Sequence, residues 1–280
     1  MSDTSPNLGD LTRTSVAGDQ AANGALALHL DGCHLSFAST TGGRLAVLDG
    51  LSLAVAPGEF VALVGPSGCG KSTALRLATA AVRPSSGSVS VLGGDPDDAR
   101  KRRQIAVAFQ DPALLPWRTV FQNVALPLEI AGKLQSHRDA TVVNAIAQVG
   151  LTGFEEAQPH QLSGGMRQRV AIARALTTSP RLLLMDEPFS AVDELTRDRL
   201  NVLLLDAWAD GAPAIVFVTH SIEEAVFLAD RVVVLTRRPA RAFTSIQTGL
   251  PRPRTLSMKR DGATFEVVAR VRAALEEAMR

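Results

Sequence analysis

The segment Gly65-Pro66-Ser67-Gly68-Cys69-Gly70-Lys71-Ser72-Thr73 has the spacing G-x-x-x-x-G-K-[ST], and each residue type in it serves the binding of phosphate oxygens. Glycines let successive backbone N–H groups curl around an anion with no Cβ in the way. A helix that opens at the end of the loop turns its unsatisfied N–H groups and positive dipole end to the same anion. Lys71 is placed to bridge the β- and γ-phosphates of a nucleotide, and the Ser72 hydroxyl to ligate Mg²⁺. The motif needs a strand before it and a helix after it. Apolar Phe60-Val61-Ala62-Leu63-Val64 precedes it, and residues 71–81 read as a helix. Alone, such a loop fits GTPases, kinases and many ATPases.

Two further segments narrow the chemistry. Arg181-Leu182-Leu183-Leu184-Met185-Asp186-Glu187-Pro188 is an apolar strand ending in two carboxylates. A ligand of an open α/β sheet sits beyond the carboxyl ends of its strands, so Asp186 and Glu187 are expected beside the phosphates. Asp186 is placed to hold Mg²⁺ through water. Glu187 points elsewhere and could orient or deprotonate the attacking water. Leu162-Ser163-Gly164-Gly165-Met166-Arg167-Gln168-Arg169 then starts a helix, with Ser163 as a natural N-cap and two glycines exposing further N–H groups. This is a second anion site in one chain. A single nucleotide does not need both, which suggests that the second serves another copy of the molecule.

Strands and helices must hold these residues, and the composition allows them. The chain has 280 residues, 46% hydrophobic and 20% charged, and 29 Lys and Arg against 28 Asp and Glu give a net charge of +1. That balance argues against a disordered chain and against a dedicated nucleic-acid binder, so no nucleic-acid partner is expected. The apolar runs are strand-sized, such as Val232-Val233-Val234-Leu235, so no membrane crossing is expected. Cys33 and Cys69 make neither a disulfide scaffold nor a four-ligand zinc site. Asp19 and Gln20 interrupt the one stretch resembling a signal peptide, and a reducing cytoplasmic compartment is the default. Residues 1–27 read as a mobile tail. Phe60–Val64, Leu182–Met185 and Ile215–Val218 read as buried parallel strands, and residues 164–177 and 221–230 as helices. A final helix over 264–279 carries Phe265, Val268, Val271 and Leu275 at helical spacing. The pattern is α/β with a mostly parallel sheet.

Taken in order, the motifs resemble those of the ATP-binding subunits of ABC transporters over roughly residues 29–240. The phosphate loop is Gly65–Thr73, the signature Leu162–Met166 and the magnesium strand ends at Asp186-Glu187. Ser190-Ala191-Val192-Asp193 resembles the D-loop, Thr219-His220 the switch histidine, and Gln110 after Val107-Ala108-Phe109 the Q-loop. The resemblance implies a P-loop NTPase cassette with a mostly parallel core sheet, an antiparallel β part and a helical subdomain at about 111–178. The nucleotide-binding domain would span 28–240, and 241–280 would be a C-terminal extension with a terminal helix. It also implies a homodimer of cassettes packed head to tail over two ATP molecules. Each ATP would lie between Lys71 and Ser72 of one chain and Ser163 and Gly165 of the other, with Gly164 beside them. Glu187 would be the catalytic carboxylate, and His220 would contact the γ-phosphate and attacking water. Gln110 would sense Mg²⁺ or water and relay the state of the site to two integral-membrane permease subunits. Ser72, Asp186 and Gln110 form the implied magnesium set, and Asp193 would position the opposite phosphate loop. An extracytoplasmic solute-binding protein would act through the permease, and the chain would sit at the cytoplasmic face of the membrane.

The chain departs from the family pattern in places. Met166 ends the signature where glutamine is usual. There is no tyrosine to stack on adenine, which leaves Phe37 as the stacking candidate, unless it is a core residue of a first strand. Cys69 reads as a small filler, although a helix N-terminus beside Lys71 could depress its pKa and make it alkylatable. Trp117, between Pro112-Ala113-Leu114-Leu115-Pro116 and Arg118, suits either an interface with the permease or a core. Leu114–Trp117 and His220–Val232 resemble the nitrate/sulfonate/taurine importer subfamily, with aliphatic sulfonate as the first expectation for the solute. Arg100-Lys101-Arg102-Arg103 and the Arg/Pro stretch over 237–254 suit anionic headgroups or a solvated surface. The rival readings lack support. No guanine-reading Asn-Lys-x-Asp occurs, and the stretch between Lys71 and Ser163 has no heptad pattern of the kind inserted in repair ATPases.

Overall fold

The computed structural model describes residues 25–38, 42–133, 135–208 and 213–280; of the tail expected over 1–27, only the last three residues lie within them. In chain order, β1 (Leu28–Ala38) and β2 (Arg44–Val55) precede β3 (Phe60–Val64), α1 (Lys71–Ala78) and β4 (Ser86–Val91). Next come α2 (Pro96–Lys101), β5 (Ile105–Ala108), α3 (Val120–Ile130), α4 (Gln135–Gln148) and α5 (Gly164–Leu176). The chain continues through β6 (Leu182–Asp186), α6 (Glu194–Ala207), β7 (Ala214–Val218), α7 (Ile222–Leu228), β8 (Arg231–Leu235), β9 (Ala242–Gln247) and α8 (Gly262–Ala278). The carboxyl ends of α1, α5, α7 and α8 fall one to three residues inside those expected from periodicity, while α8 begins two residues before its expected start.

The strands make a three-stranded antiparallel sheet, β2-β1-β4, and a six-stranded sheet, β5-β6-β7-β3-β8-β9. Its first five strands pair in parallel, and β9 closes the edge antiparallel to β8. Because successive side chains of a strand face opposite ways, each central strand feeds two cores. Phe60, Ala62, Phe217, Met185 and Val234 enter one core with α3 to α8, while Val61, Leu63, Leu184, Val216 and Val233 enter the other with α1 and the antiparallel sheet. The continuous apolar runs follow from this burial on both faces. Helices α3, α4 and α5 pack on one another beside the first core.

The boundary expected at residue 240 falls between paired strands: Val232 pairs with Ile246, so β9 belongs to the main sheet. Helix α8 buries Val267, Val268 and Val271 while Phe265 is 60% exposed. The buried stripe is thus rotated from the one expected, because α7 and β8 meet the Val267 side of the helix. The basic clusters are largely paired within the protein. Asp97 binds Arg100 and Lys101, Arg241 pairs with Asp49, and Arg252 pairs with Asp230 and lies over the Trp208 ring.

Arg254 is buried, and its Nη1 donates to the carbonyls of Phe227 at 2.8 Å, Ala229 at 2.9 Å and Val226 at 3.3 Å. These carbonyls lack partners within α7, and of the three only Ala229 O also accepts from Thr248 Oγ1, at 2.8 Å; a cation at this end is also favoured by the helix dipole. Burial brings its pKa down to about 10, which still leaves it charged at neutral pH. Arg254→Ala strands several buried carbonyls at once and should destabilise the chain by about 2–3 kcal/mol. Urea unfolding measures this directly, and an unchanged midpoint would remove Arg254 from the account of how α7 is held.

Candidate functional site

The loops that follow β3, β5, β6 and β7 all open at the carboxyl edge of the parallel sheet, where α/β proteins bind ligands. Strand β7 lies between β3 and β6, and its Val218 pairs with Leu63 on one side and Asp186 on the other. The phosphate loop, the two carboxylates and His220 are therefore neighbours by register, although they lie far apart in sequence.

Lys71 is 4% exposed, and its Nζ donates to the carbonyls of Gly65 at 2.8 Å and Pro66 at 3.0 Å. A lysine is buried in this way only when its charge is met, and here the loop itself curls around it. Two glycines make the curl possible. Gly70 sits at φ 131°, and a Cβ at Gly65 would come within 3.1 Å of Cys69 Sγ and Leu235 Cβ. Gly68 is also left-handed, at φ 70°, and is exposed with Ser67 at the mouth of the loop. Thr73 lies on the first turn of α1, just beyond Ser72.

Ser72 Oγ donates to Asp186 Oδ1 at 2.9 Å. Both are hard oxygen donors, a set that suits Mg²⁺ rather than a soft metal. Among the described residues no group of three or more His, Cys, Asp or Glu could hold a metal. A magnesium ion here would thus draw further ligands from phosphate and water, as is usual for this ion.

Glu187 has φ 50°, a left-handed conformation that costs a non-glycine residue of order 1 kcal/mol or more. Its N–H donates to Val218 O at 2.9 Å, which ties the turn to β7. The turn swings the Glu187 side chain away from Asp186, and its Oε1 lies 2.5 Å from His220 Nε2. The structure thus forms two pairs side by side, Ser72 with Asp186 and Glu187 with His220. The arrangement combines a cradle for phosphates, an oxygen pair for a divalent ion, and a carboxylate–imidazole pair able to hold and move a proton.

The other expected residues stand apart from these pairs in a single chain. Gln110 is exposed after β5, and Phe37 is 38% exposed near the end of β1, outside both cores. Ser163 caps α5, accepting from Met166 N at 3.2 Å, and Ser163 and Gly164 are exposed. Gly165 is fixed by packing, since a Cβ there would meet Thr196 Cγ2 of α6 at 2.7 Å. Asp193 caps α6 by accepting from Thr196 N at 3.0 Å, and those hydrogen bonds hold its carboxyl below the ordinary range. Trp117 is 71% exposed, which favours the interface reading over the core reading.

Sequence reasoning missed the groups that brace these loops. Gln168 Nε2 donates to Phe109 O at 3.1 Å, and Arg174 donates to Pro112 O and Ala113 O at 2.6 and 2.9 Å. Helix α5 therefore holds the Gln110 segment on both sides. Polar residues on the inner side of an otherwise apolar helix were the available signal.

This fold and its loaded sheet edge define a P-loop ATP-binding cassette. Residues 48–190 match the ABC transporter family model, and the chain belongs to that family. It is 44% identical over 218 residues to the bicarbonate transport ATP-binding protein CmpD of Synechococcus elongatus, covering 77% of this chain and 78% of that one. It is 43% identical over 230 residues to the nitrate import ATP-binding protein NrtC of the same organism, covering 81% of this chain and 35% of that longer protein. Among solved structures, cbiO1 of Clostridium perfringens, part of the transporter complex cbiONQ, superposes with a TM-score of 0.70 at 26% identity, covering 80% of this chain and 89% of that one. A dimeric ATP-binding cassette in a post-hydrolysis state with ADP and Pi superposes with a TM-score of 0.69 at 29% identity, covering 79% and 98%.

Cys69 corrects the alkylation expectation. It is buried in the loop, and desolvation pushes its thiol up despite the nearby Lys71 charge. Cys33 is buried too, with its thiol likewise raised. Iodoacetamide should therefore label neither thiol of the native chain at an appreciable rate, and both after denaturation. Mass spectrometry that finds Cys69 labelled at a free-thiol rate in the native chain would reverse this.

Proposed function

We propose that the chain is the ATP-hydrolysing subunit of an importer for a small anion. It works as a homodimer at the cytoplasmic face of the membrane, on two integral-membrane permease subunits fed by an extracytoplasmic solute-binding protein. The observation that carries this is the Glu187–His220 pair, set on one sheet edge beside Ser72-Asp186 and the buried Lys71. Family membership supports the coupling to transport, and no helix among the described residues is long and apolar enough to cross a membrane, so the spans would come from other chains. The dimeric cassette with ADP and Pi supports pairing of two copies.

The geometry and the family resemblance support the following roles. Gly65–Thr73 binds the phosphates, with Lys71 releasing the carbonyls of Gly65 and Pro66 to reach phosphate oxygen. Ser72 and Asp186 would hold Mg²⁺, with Gln110 as its sensor, and the ion would supply charge neutralisation for phosphoryl transfer. Glu187 accepts a proton from the attacking water, and His220 orients that carboxylate. Phe37 stacks on the base. Exposed Ser163 and Gly164, with Gly165, face the nucleotide of the partner copy, and Asp193 bears on the partner's loop. The solute class rests on the relatives. CmpD is named for bicarbonate and NrtC for nitrate, both small oxyanions, and the aliphatic sulfonate expected from the sequence belongs to the same chemical class.

Glu187→Gln should lower ATP turnover by about 10²–10⁴-fold while leaving ATP binding intact, so that ATP shifts the variant to a dimer on size exclusion. Full hydrolysis by that variant would sink the role of Glu187. The solute is identified by purifying the chain with its permease and assaying ATPase with binding proteins loaded with nitrate, bicarbonate, taurine or an aliphatic sulfonate. Stimulation is expected from one of these oxyanion-bearing solutes, and stimulation by none of them would overturn the class.

A further inference from the structure

A buried polar cluster beneath His220 is used by none of the steps above. Glu224, on the first turn of α7, is 4% exposed, and its Oε2 accepts a hydrogen bond from Thr219 Oγ1. Thr219 Oγ1 in turn accepts from the Ser221 N–H at 3.1 Å. A capping box would bring the third-position Glu back to the N-cap N–H directly. Here the Thr219 hydroxyl is inserted between them, so the link spans the two peptide groups on either side of His220. Ser221 Oγ completes the turn by accepting from Glu224 N at 3.1 Å, and Thr219 N donates to Leu63 O at 3.4 Å, two residues before the phosphate loop.

The other side of the cluster is α6. Glu224 Oε1 and both amide atoms of Asn201 are buried without a hydrogen bond of ordinary geometry among the described residues, although Asn201 faces the carboxylate closely enough to favour its charged form. Arg197 lies near the same carboxylate, and its Nη2 donates to Val192 O at 2.9 Å, the residue before Asp193. Lys259 also bears on it, itself paired with Asp198 of α6. Burial raises the Glu224 carboxyl above the ordinary range, opposed by the Thr219 hydroxyl and these cations. A buried acid whose second oxygen is met only by a poorly aligned amide costs stability, so packing alone does not account for it.

We propose that Glu224 is a positioning residue: through Thr219 it fixes the backbone that carries His220. The proposal rests on the assignment of His220 to the hydrolytic site.

The test uses the full chain. Glu224→Ala should lower kcat for ATP about tenfold to a hundredfold while the KM for ATP changes less than about threefold. Glu224→Gln keeps an oxygen acceptor at the same reach and should recover most of that loss. Thr219→Val removes the hydroxyl at constant size and should reproduce the Ala phenotype, with Thr219→Ser restoring activity; this second pair decides the matter where Glu224→Ala does not fold. Independently of turnover, hydrogen exchange at the Ser221 amide should accelerate about tenfold or more in Glu224→Ala and Thr219→Val with the unfolding midpoint little changed. Unaltered exchange at Ser221 overturns the link, and faster exchange with undiminished kcat overturns its role in hydrolysis. A Gln variant as slow as the Ala variant overturns the hydrogen-bond account. A wild-type chain without magnesium-dependent turnover would instead overturn the function, and the exchange measurement keeps the two failures apart.

Discussion

Val218 pairs with Leu63 on one flank and with Asp186 on the other, and this shared register is the constraint on which the site depends. A one-residue slip of β7 would turn Phe217 out of one core and Val218 out of the other, so the register is fixed by burial on both faces. The hydrophobic cores thereby set distances between polar groups they never touch. Lys71, Asp186, Glu187 and His220 come from three loops, and only the strands make them neighbours.

The polar groups at that edge are held under tension by the same packing. Lys71 is buried against backbone carbonyls, Glu187 sits in a left-handed turn, and Glu224 is a buried carboxylate with one oxygen poorly hydrogen-bonded. Each is unfavourable in isolation. Each also faces a neighbour whose position matters: the loop, His220 and Thr219. The two cores supply the stability against which such local costs are tolerated, and a site with its donors already oriented needs less rearrangement when charge develops in it.

Much of this was legible in the sequence because the signals are local. Glycine spacing, the apolar run before the phosphate loop and the Ser163 cap are all read within about ten residues, and each stands where expected. Contacts between distant segments were not legible. Arg254 sits in a Pro/Arg stretch that suggests a solvated surface, yet it fills the end of α7, whose carbonyls only the folded chain brings near. Phe265 fits a helical stripe, but the side of α8 that is buried depends on where α7 and β8 lie. Glu224 lies in a plain acidic pair with Glu223, and nothing in that pair says that one pairs with exposed Arg272 while the other points inward. Nor does local sequence reveal that β9 extends the main sheet, since its alternating pattern suits any edge strand.

The C-terminal residues gain a meaning from these contacts. Arg254 holds the end of α7, Arg272 pairs with Glu223 near its start, and Lys259 reaches Asp198 on α6 while resting against the Phe227 ring. Helix α7 begins two residues after His220, and α6 begins right after Asp193. A segment that bound only one of these helices would stabilise it and leave the other free to shift. Binding both makes their relative position a property of the whole chain. A short helix such as α7 could not hold that position by its own propensity, because seven residues offer too few internal hydrogen bonds to offset nucleation. The tertiary clamp therefore supplies the rigidity that local sequence cannot, and places it directly behind His220 and Asp193.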